Sequence, residues 1–438
     1  MLEFHVLSFE GPDHYARAGG IASRINGLTT SLAEDFTTHL WFVGDPHAPA
    51  REQRGNLDLH RWCQWLSQHH PLGVYDGEQA KVDDYAASLP PQLLTQLEPL
   101  LRRGGRAVIL AEEWHTVNAV LHLDWLLRTH QLRDNVTILW NANNTFGFSG
   151  IDWQRLRRAA TITTVSRYMK HLMRQLGVDP LVIPNGLDDQ AFAPTNRLAI
   201  AQMRALVGQR LLLVKMARWD PDKQWLLAMD TISELKRRDR KPLLIARGGM
   251  EAHGTDVLDR ARALGLRVVE RAVAAPGAVA LAGSLGDSND ADVILLTSHI
   301  DPPGRRALFR AASAVLANSR HEPFGLVGLE AMAAGGLACT GCSGEDYAVP
   351  GQNALVLERD DPMEFVHLFE RVPNQVALRR AGRSTALQYA WPRVIGRVLL
   401  PRVEACARPS LAAGATAASP RQAIPARLRP EPKRLLVA

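Results

Sequence analysis

Two glutamates, Glu322 and Glu330, and two cations, Arg218 and Lys223, are the side chains of this sequence whose spacing best suits ligand chemistry. The glutamates stand in NSRHEPFGLVGLEAMAAGG, from Asn318 to Gly336. Pro323 suits a first helical position, where its missing N–H costs nothing, and Gly335-Gly336 supplies a stop, so the spacing predicts a helix from Pro323 to Ala334. Its free amides beside Glu322 would be ready for an anion such as phosphate. Gly325 and Gly328 cost helix stability, roughly 1 kcal/mol each against alanine, which close approach of a ligand or of another backbone would explain. At a rise of 1.5 Å per residue the two glutamate backbones lie about 12 Å apart. A glycosidase pair needs roughly 5 to 9.5 Å. The wider spacing suits holding the two ends of an elongated ligand, sugar at one end and ribose at the other.

The cations follow the apolar run LLLVK, in KMARWDPDKQW. Arg218 and Lys223 at a strand-to-helix junction can neutralise a diphosphate and the charge growing on it as it leaves, one through a planar fork and the other as a compact charge. The plain alternative is a pair of solvated surface cations. Gly19-Gly20, after the first apolar run, can bring backbone amides to an anionic group, or can simply form a flexible turn. His115, in EEWHT, falls at the carboxyl end of the run Val108 to Ala111, where an imidazole serves a ligand or a loop carbonyl equally well.

Positioning these groups requires alternating strands and helices. The first half supplies strands Glu3 to Ser8, His39 to Val43, Ala107 to Ala111, Val136 to Trp140, Thr161 to Val165 and Leu181 to Ile183, with helices Ile21 to Ala33, His115 to Thr129 and Arg167 to Leu176. The second repeats the pattern from Leu198 to Val207 onward: strand Leu211 to Lys215, helix Lys223 to Arg238, strand Leu243 to Ala246, and strands near Val268, Val293 and Val315. This is the alternation of parallel, doubly wound sheets, with ligand in the crevice at the strands' carboxyl ends. Pro71 to Leu101, rich in proline and charge, reads as an insertion.

Composition narrows the function classes. The 438 residues are 46% apolar, with no apolar run of membrane-spanning length, and MLEFHVLSFE begins as a strand rather than an export signal, so the expectation is a cytoplasmic protein. Of the net charge of +6, the stretch from Arg408 onward supplies +5, leaving a nearly neutral body without the basic, aromatic-laced surface of a nucleic-acid binder. That stretch, rich in Ala, Pro, Ser and Arg, reads as a disordered tail. Cys63, Cys339, Cys342 and Cys406 form neither a disulfide framework nor a complete metal set, and no metal ligands are assigned. Neither GGIASRING nor GGMEAHG spaces its glycines as a dinucleotide fingerprint.

The span from Glu322 to Glu330 matches the E-x7-E signature of the retaining family-4 and glycogen/starch synthase-like glycosyltransferases, and the chain resembles that family over roughly residues 3 to 405. Arg218 and Lys223 match its R-x4-K, with Gln224 where Gly usually follows. FEGPDHYARAGG resembles its opening Lys-Thr-Gly-Gly, with Arg17 for Lys. EEWHT resembles Asp-Trp-His-Thr/Ala, with Glu113 for Asp. VSRYM, IPNGLDDQAFAP, the turn Arg247-Gly248-Gly249 and QYAWPRVIGRVLL complete the likeness.

The resemblance implies the GT-B fold: two Rossmann-like α/β domains with an interdomain cleft, here residues 1–188 and 189–388, a helix of 389–407 crossing back to the first domain, and a tail of 408–438. It implies that Arg218 and Lys223 stabilise the leaving diphosphate, Glu322 orients the donor sugar, Glu330 holds the ribose and His115 reaches the sugar from the opposite domain. Arg17, Gly19, Gly20, Gly248, Gly249, Phe324, Gly325 and Leu326 complete the expected donor site. The implied activity is transfer of a hexose, with glucose favoured, from a UDP-, ADP- or GDP-sugar to a carbohydrate or other hydroxyl acceptor, without catalytic metal or cofactor. A silent partner-binding subunit and a GT-B phosphorylase or epimerase are the alternatives.

Overall fold

The structure, a computed structural model, describes residues 1–286, 290–372 and 374–407. The expected tail lies outside the described residues. Two sheets carry the chain, and their central strands are rich in β-branched residues and leucine and buried on two faces.

The first contains β1 (Leu2–Leu7), β2 (Thr37–Val43), β3 (Arg51–Arg54), β4 (Leu57–Trp62), β5 (Arg106–Glu112), β6 (Val136–Ala142), β7 (Thr161–Thr164) and β8 (Leu181–Val182), in the order β3-β4-β2-β1-β5-β6-β7-β8. All pairs are parallel except β3 with β4. The second contains β9 (Leu211–Met216), β10 (Pro242–Arg247), β11 (Val268–Arg271), β12 (Val293–Leu296), β13 (Ala314–Ala317), β14 (Ala338–Thr340) and β15 (Leu355–Val356), in the order β11-β12-β10-β9-β13-β14-β15, all parallel. Two doubly wound α/β sheets are the architecture expected of GT-B.

Alternate residues of β1 serve different layers. Phe4 and Val6 pack with Ile25 and Leu28 of helix Gly20–Asp35 and with Trp391, Val394 and Leu399 near the C-terminus, whereas Leu7 joins Trp41, Tyr85, Leu89, Leu93 and Leu97 beneath helix Glu78–Arg102. That long helix overturns the reading of Pro71 to Leu101 as an insertion. Pro90, Pro91 and Pro99 lie inside it, and its leucines at helical spacing cover the sheet between β4 and β5. Burial of one apolar stripe outweighs the backbone bonds lost at the prolines.

Trp391 fastens the crossover between the sheets. A Cβ on Gly27 would lie 2.1 Å from its indole nitrogen, and one on Gly186 2.4 Å from its ring, so only glycine admits this wedge. Leu187 and Trp391 exchange backbone bonds with the chain around them: Leu187 N–H donates to the Tyr389 carbonyl at 2.7 Å and Trp391 N–H to the Leu187 carbonyl at 3.1 Å.

Candidate functional site

A cleft of about 770 Å³ lies at the carboxyl ends of the central strands of both sheets. Glu10, Gly19, Gly20, Glu113 and His115 line it from the first half, and Arg218, Lys223, Glu322, Phe324 and Leu326 from the second. Residues separated by more than three hundred positions therefore meet where the parallel-sheet reading placed the ligand.

In the second half, β9 ends at Met216 and releases Arg218 into the cleft, largely exposed, with Asp220 3.7 Å away. The turn continues to Lys223, whose ammonium lies 2.5 Å from Glu322 Oε2 with both side chains mostly buried. Gln224 then adopts φ +55°, a left-handed conformation that favours glycine, and so accounts for the glycine usual at this point of the resembling family. Its amide donates to Asp360 at 2.9 Å.

The loop bearing Glu322 is tied from two directions. Glu322 N–H donates to Ser343 Oγ at 2.9 Å, and the buried Lys215 ammonium donates to the carbonyls of Leu316 and Asn318 and to Asn318 Oδ1, at 3.0–3.3 Å. Burial pulls the Lys215 ammonium down to about 7. The helix begins later than the sequence suggested, at Leu326 rather than Pro323, and runs to Ala333 with Gly335 at φ +75° ending it. Tyr347 explains the delay, because its hydroxyl donates to the Gly325 carbonyl and its ring packs among Phe324 and Tyr389. Gly325 and Gly328 are also explained by protein neighbours. A Cβ on the first would meet Glu345 at 2.7 Å, and on the second Tyr347 at 2.6 Å.

Glu345 is a residue that sequence reasoning missed. It is buried, both carboxylate oxygens lack hydrogen-bond partners among the described residues, and burial followed by the charge of Glu322 pushes its carboxyl up to about 8. A neutral acid therefore backs the Glu322 loop at pH 7. Its only signal in the sequence was a carboxylate in the turn CSGED after β14.

The first half presents a more self-satisfied wall. Glu10 Oε2 accepts from the amides of Ala18, Gly19 and Ala22 at 3.0–3.3 Å, while Tyr75 donates to Oε1 at 2.6 Å. The helix start read as an anion cradle is thus taken by the chain's own carboxylate. His115 is buried between Phe9 and Trp114, with ring centroids 4.4 and 4.1 Å away, and its Nε2 lies 2.8 Å from Glu78 Oε1. Its Nδ1 is buried without a partner, and burial, opposed by Glu78, lowers its pKa and favours neutral imidazole. Glu113 holds φ +68° and accepts from Asn143 N–H at 2.6 Å, with its carboxyl pushed up to about 8 by burial. An extended positive-φ residue is strained and persists only where its surroundings fix it; here the Asn141 carbonyl accepts Glu113 N–H and the Trp140 indole donates to the Glu113 carbonyl.

Other expected residues stand apart. Arg17 donates to the Pro12 carbonyl at 2.9 Å and lines a neighbouring cavity with His14 and His47. Glu330 lies 3.1 Å from Arg305 and lines an adjoining pocket that shares Leu326 with the cleft. Gly248 and Gly249 are absent from the cleft wall. A Cβ on Gly248 would overlap the Trp219 indole at 1.8 Å, so packing inside the second half accounts for that glycine.

Residues 210–374 match the family described as Glycosyl transferases group 1. The chain carries a glycosyl transferases group 1 domain. That domain holds Arg218, Lys223, Glu322 and Glu330, so the match falls on the half that supplies the arginine and lysine of the cleft wall. A D-inositol 3-phosphate glycosyltransferase of Geodermatophilus obscurus is 26% identical over 232 residues, which are 52% of this chain and 48% of that relative. The chain thus spans about half the length of that curated relative. Solved structures share the fold over most of the chain. Sucrose-phosphate synthase from Thermosynechococcus elongatus superposes with a TM-score of 0.59 at 18% identity, covering 92% of this chain and 100% of that one. An α,α-trehalose-phosphate synthase (UDP-forming) from Burkholderia xenovorans, in complex with glucose-6-phosphate, gives 0.59 at 14% identity, covering 92% and 99%. Among the described residues no helix is long and apolar enough to cross a membrane.

Proposed function

We propose that this chain transfers a hexose, with glucose favoured and the anomeric configuration retained, from a nucleoside diphosphate sugar to an acceptor hydroxyl. The observation that carries this reading is the grouping of Arg218, Lys223 and Glu322 at the carboxyl ends of β9 and β13, facing His115 across one cleft. Arg218 is exposed and ready to engage a diphosphate, and Lys223 can pass from Glu322 to the leaving group as charge grows there. Glu322, once released, accepts from sugar hydroxyls. His115, uncharged, offers hydrogen bonding from the other wall without opposing the cations. Glu330 holds the ribose once the ligand displaces or bridges Arg305. No protein nucleophile is assigned, since the departing phosphate can take the acceptor's proton on the same face. The transfer is read as independent of catalytic metal and of any cofactor other than the donor substrate.

The names of the relatives sharpen the acceptor. An inositol 3-phosphate glycosyltransferase and synthases of sucrose phosphate and trehalose phosphate all handle phosphorylated sugars or polyols, and the last is described as UDP-forming. A phosphorylated hexose or polyol with a UDP-sugar is therefore the first pairing to try. The test is product analysis with UDP-, ADP- and GDP-hexoses, each offered phosphorylated and plain acceptors without added Mg²⁺ or Mn²⁺, the anomeric configuration being read by NMR. A product that keeps the donor's anomeric configuration supports the reading. Bound nucleotide without any transferred sugar would instead favour a silent subunit.

A further inference from the structure

Away from the cleft, the face of the first sheet beneath helix Glu78–Arg102 carries an unusual row of side chains. The parallel register sets His5 on β1 beside His39 on β2, and His39 beside Asp58 on β4, with His60 two residues further along the same face. All four are buried. A position in the middle of a sheet normally carries an apolar side chain, and four polar ones cost free energy unless something pairs with them.

Three donor atoms converge there. His39 Nδ1 lies 3.2 Å from His60 Nε2 and 3.5 Å from Asp58 Oδ2. Ligands about 2.0 to 2.2 Å from a tetrahedral ion stand roughly 3.3 to 3.5 Å from one another, so these separations already match the edges of a coordination tetrahedron. The rings are held in place, His60 stacked on Trp41 with centroids 3.8 Å apart and His39 stacked on His5 at 4.5 Å. The protein's own bonds leave capacity unused: Asp58 Oδ2 accepts from Arg51 at 2.8 Å, but among the described residues Oδ1 is buried without a partner, as is His5 Nε2. Gln96 of the covering helix places its side-chain amide 3.0 Å from the same His39 Nδ1, where rotation of the amide would present its oxygen as a fourth donor. Glu3 Oε2 stands 3.9 Å from His39 Nε2, on the far side of the ring, the place of the carboxylate that commonly orients a metal-bound imidazole.

We propose that His39, His60 and Asp58 bind a single divalent transition-metal ion that fastens β2 and β4 beneath helix Glu78–Arg102. Two imidazoles and a carboxylate select zinc or a similar borderline ion over magnesium or calcium, which prefer all-oxygen cages. The site lies among the strands rather than at their carboxyl ends, so the ion contributes to stability and takes no part in sugar transfer.

Untagged full-length protein, produced in zinc-supplemented medium and exhaustively dialysed, should retain close to one zinc per chain by mass spectrometry. Cobalt introduced after chelation should give the visible absorption of a four-coordinate nitrogen and oxygen site, and chelation should lower the Tm by several degrees. Asp58→Asn and His60→Gln should each lose the metal while keeping the circular dichroism of the parent. The milder Asp58→Asn keeps the test open should His60→Gln fold poorly. Protein that takes up neither ion and whose Tm ignores chelator, or metal retained in the folded Asp58→Asn and His60→Gln variants, would overturn the assignment, and so would equal retention of magnesium.

Discussion

The two walls of the cleft solve opposite problems. On the wall from the first half, charges and amides are satisfied internally: Glu10 fills the helix start at Gly19-Gly20, Glu78 holds His115, and Arg17 turns to the Pro12 carbonyl. On the wall from the second half, Arg218 is exposed and Lys223 leans on Glu322, an arrangement a polyanion can enter by exchanging partners. The family match falls on this second wall. The difference supports the proposal that anions are received at the second wall, while the first half supplies shape and a neutral imidazole.

If so, the largest loss should come from Lys223→Ala, which should lower turnover at saturating donor by about 100- to 1,000-fold, or about 2.7 to 4 kcal/mol of transition-state stabilisation. Arg218→Ala should act in the same direction, and the double variant should lose less than the product of the two because both charges serve one group. Steady-state kinetics with purified, folded variants checks both.

A smaller effect separates Glu345 from ordinary surface carboxylates. Its folded pKa of about 8 lies above the unfolded value, so its protonated form contributes stability that is complete below the unfolded pKa and is lost as pH rises through about 8. Glu345→Gln removes that loss. Its Tm relative to wild type should therefore improve from about pH 4.5 to about pH 8 and level off above, by an amount equivalent to on the order of a few kcal/mol, measured by calorimetry. A constant Tm difference would place the carboxyl in contact with water.

The smallest effect is expected on the first wall. Arg17→Ala should alter donor KM by less than about threefold and stability by roughly 0.5 kcal/mol or less, because the side chain is exposed and bonds only a local carbonyl. A large rise in KM would mean that Arg17 swings into the cleft when donor binds, and would erase the contrast between the walls.

Much of this was legible in the sequence. The alternation of apolar runs gave the central strands of both sheets to within a few residues, though not β3, β4, β14 or β15, and Arg218, Lys223, His115 and Glu322 meet as their strand-end positions required. What escaped depended on contacts between distant segments. Helix Glu78–Arg102 hid behind three prolines, whose local signal was stronger than the spacing of Leu89, Leu93 and Leu97. Glu10 as occupant of the glycine turn and Glu78 as partner of His115 follow from how β1, the first helix and the long helix stack, which no local pattern encodes. The late start of the helix at Leu326 has the same origin in Tyr347, twenty-one positions away. Gln224 shows the converse: a departure from the expected glycine was visible at once, but only its φ of +55° shows why glycine suits that position.

The central claim, that the second wall receives a nucleoside diphosphate, is tested most directly by titration calorimetry of wild type and the Arg218→Ala/Lys223→Ala double variant with UDP, ADP and GDP. The account predicts saturable one-to-one binding of at least one nucleotide to wild type and a weakening of at least about tenfold, near 1.4 kcal/mol, in a folded double variant. Absence of binding by all three nucleotides, or equal affinity in the two proteins, would contradict it.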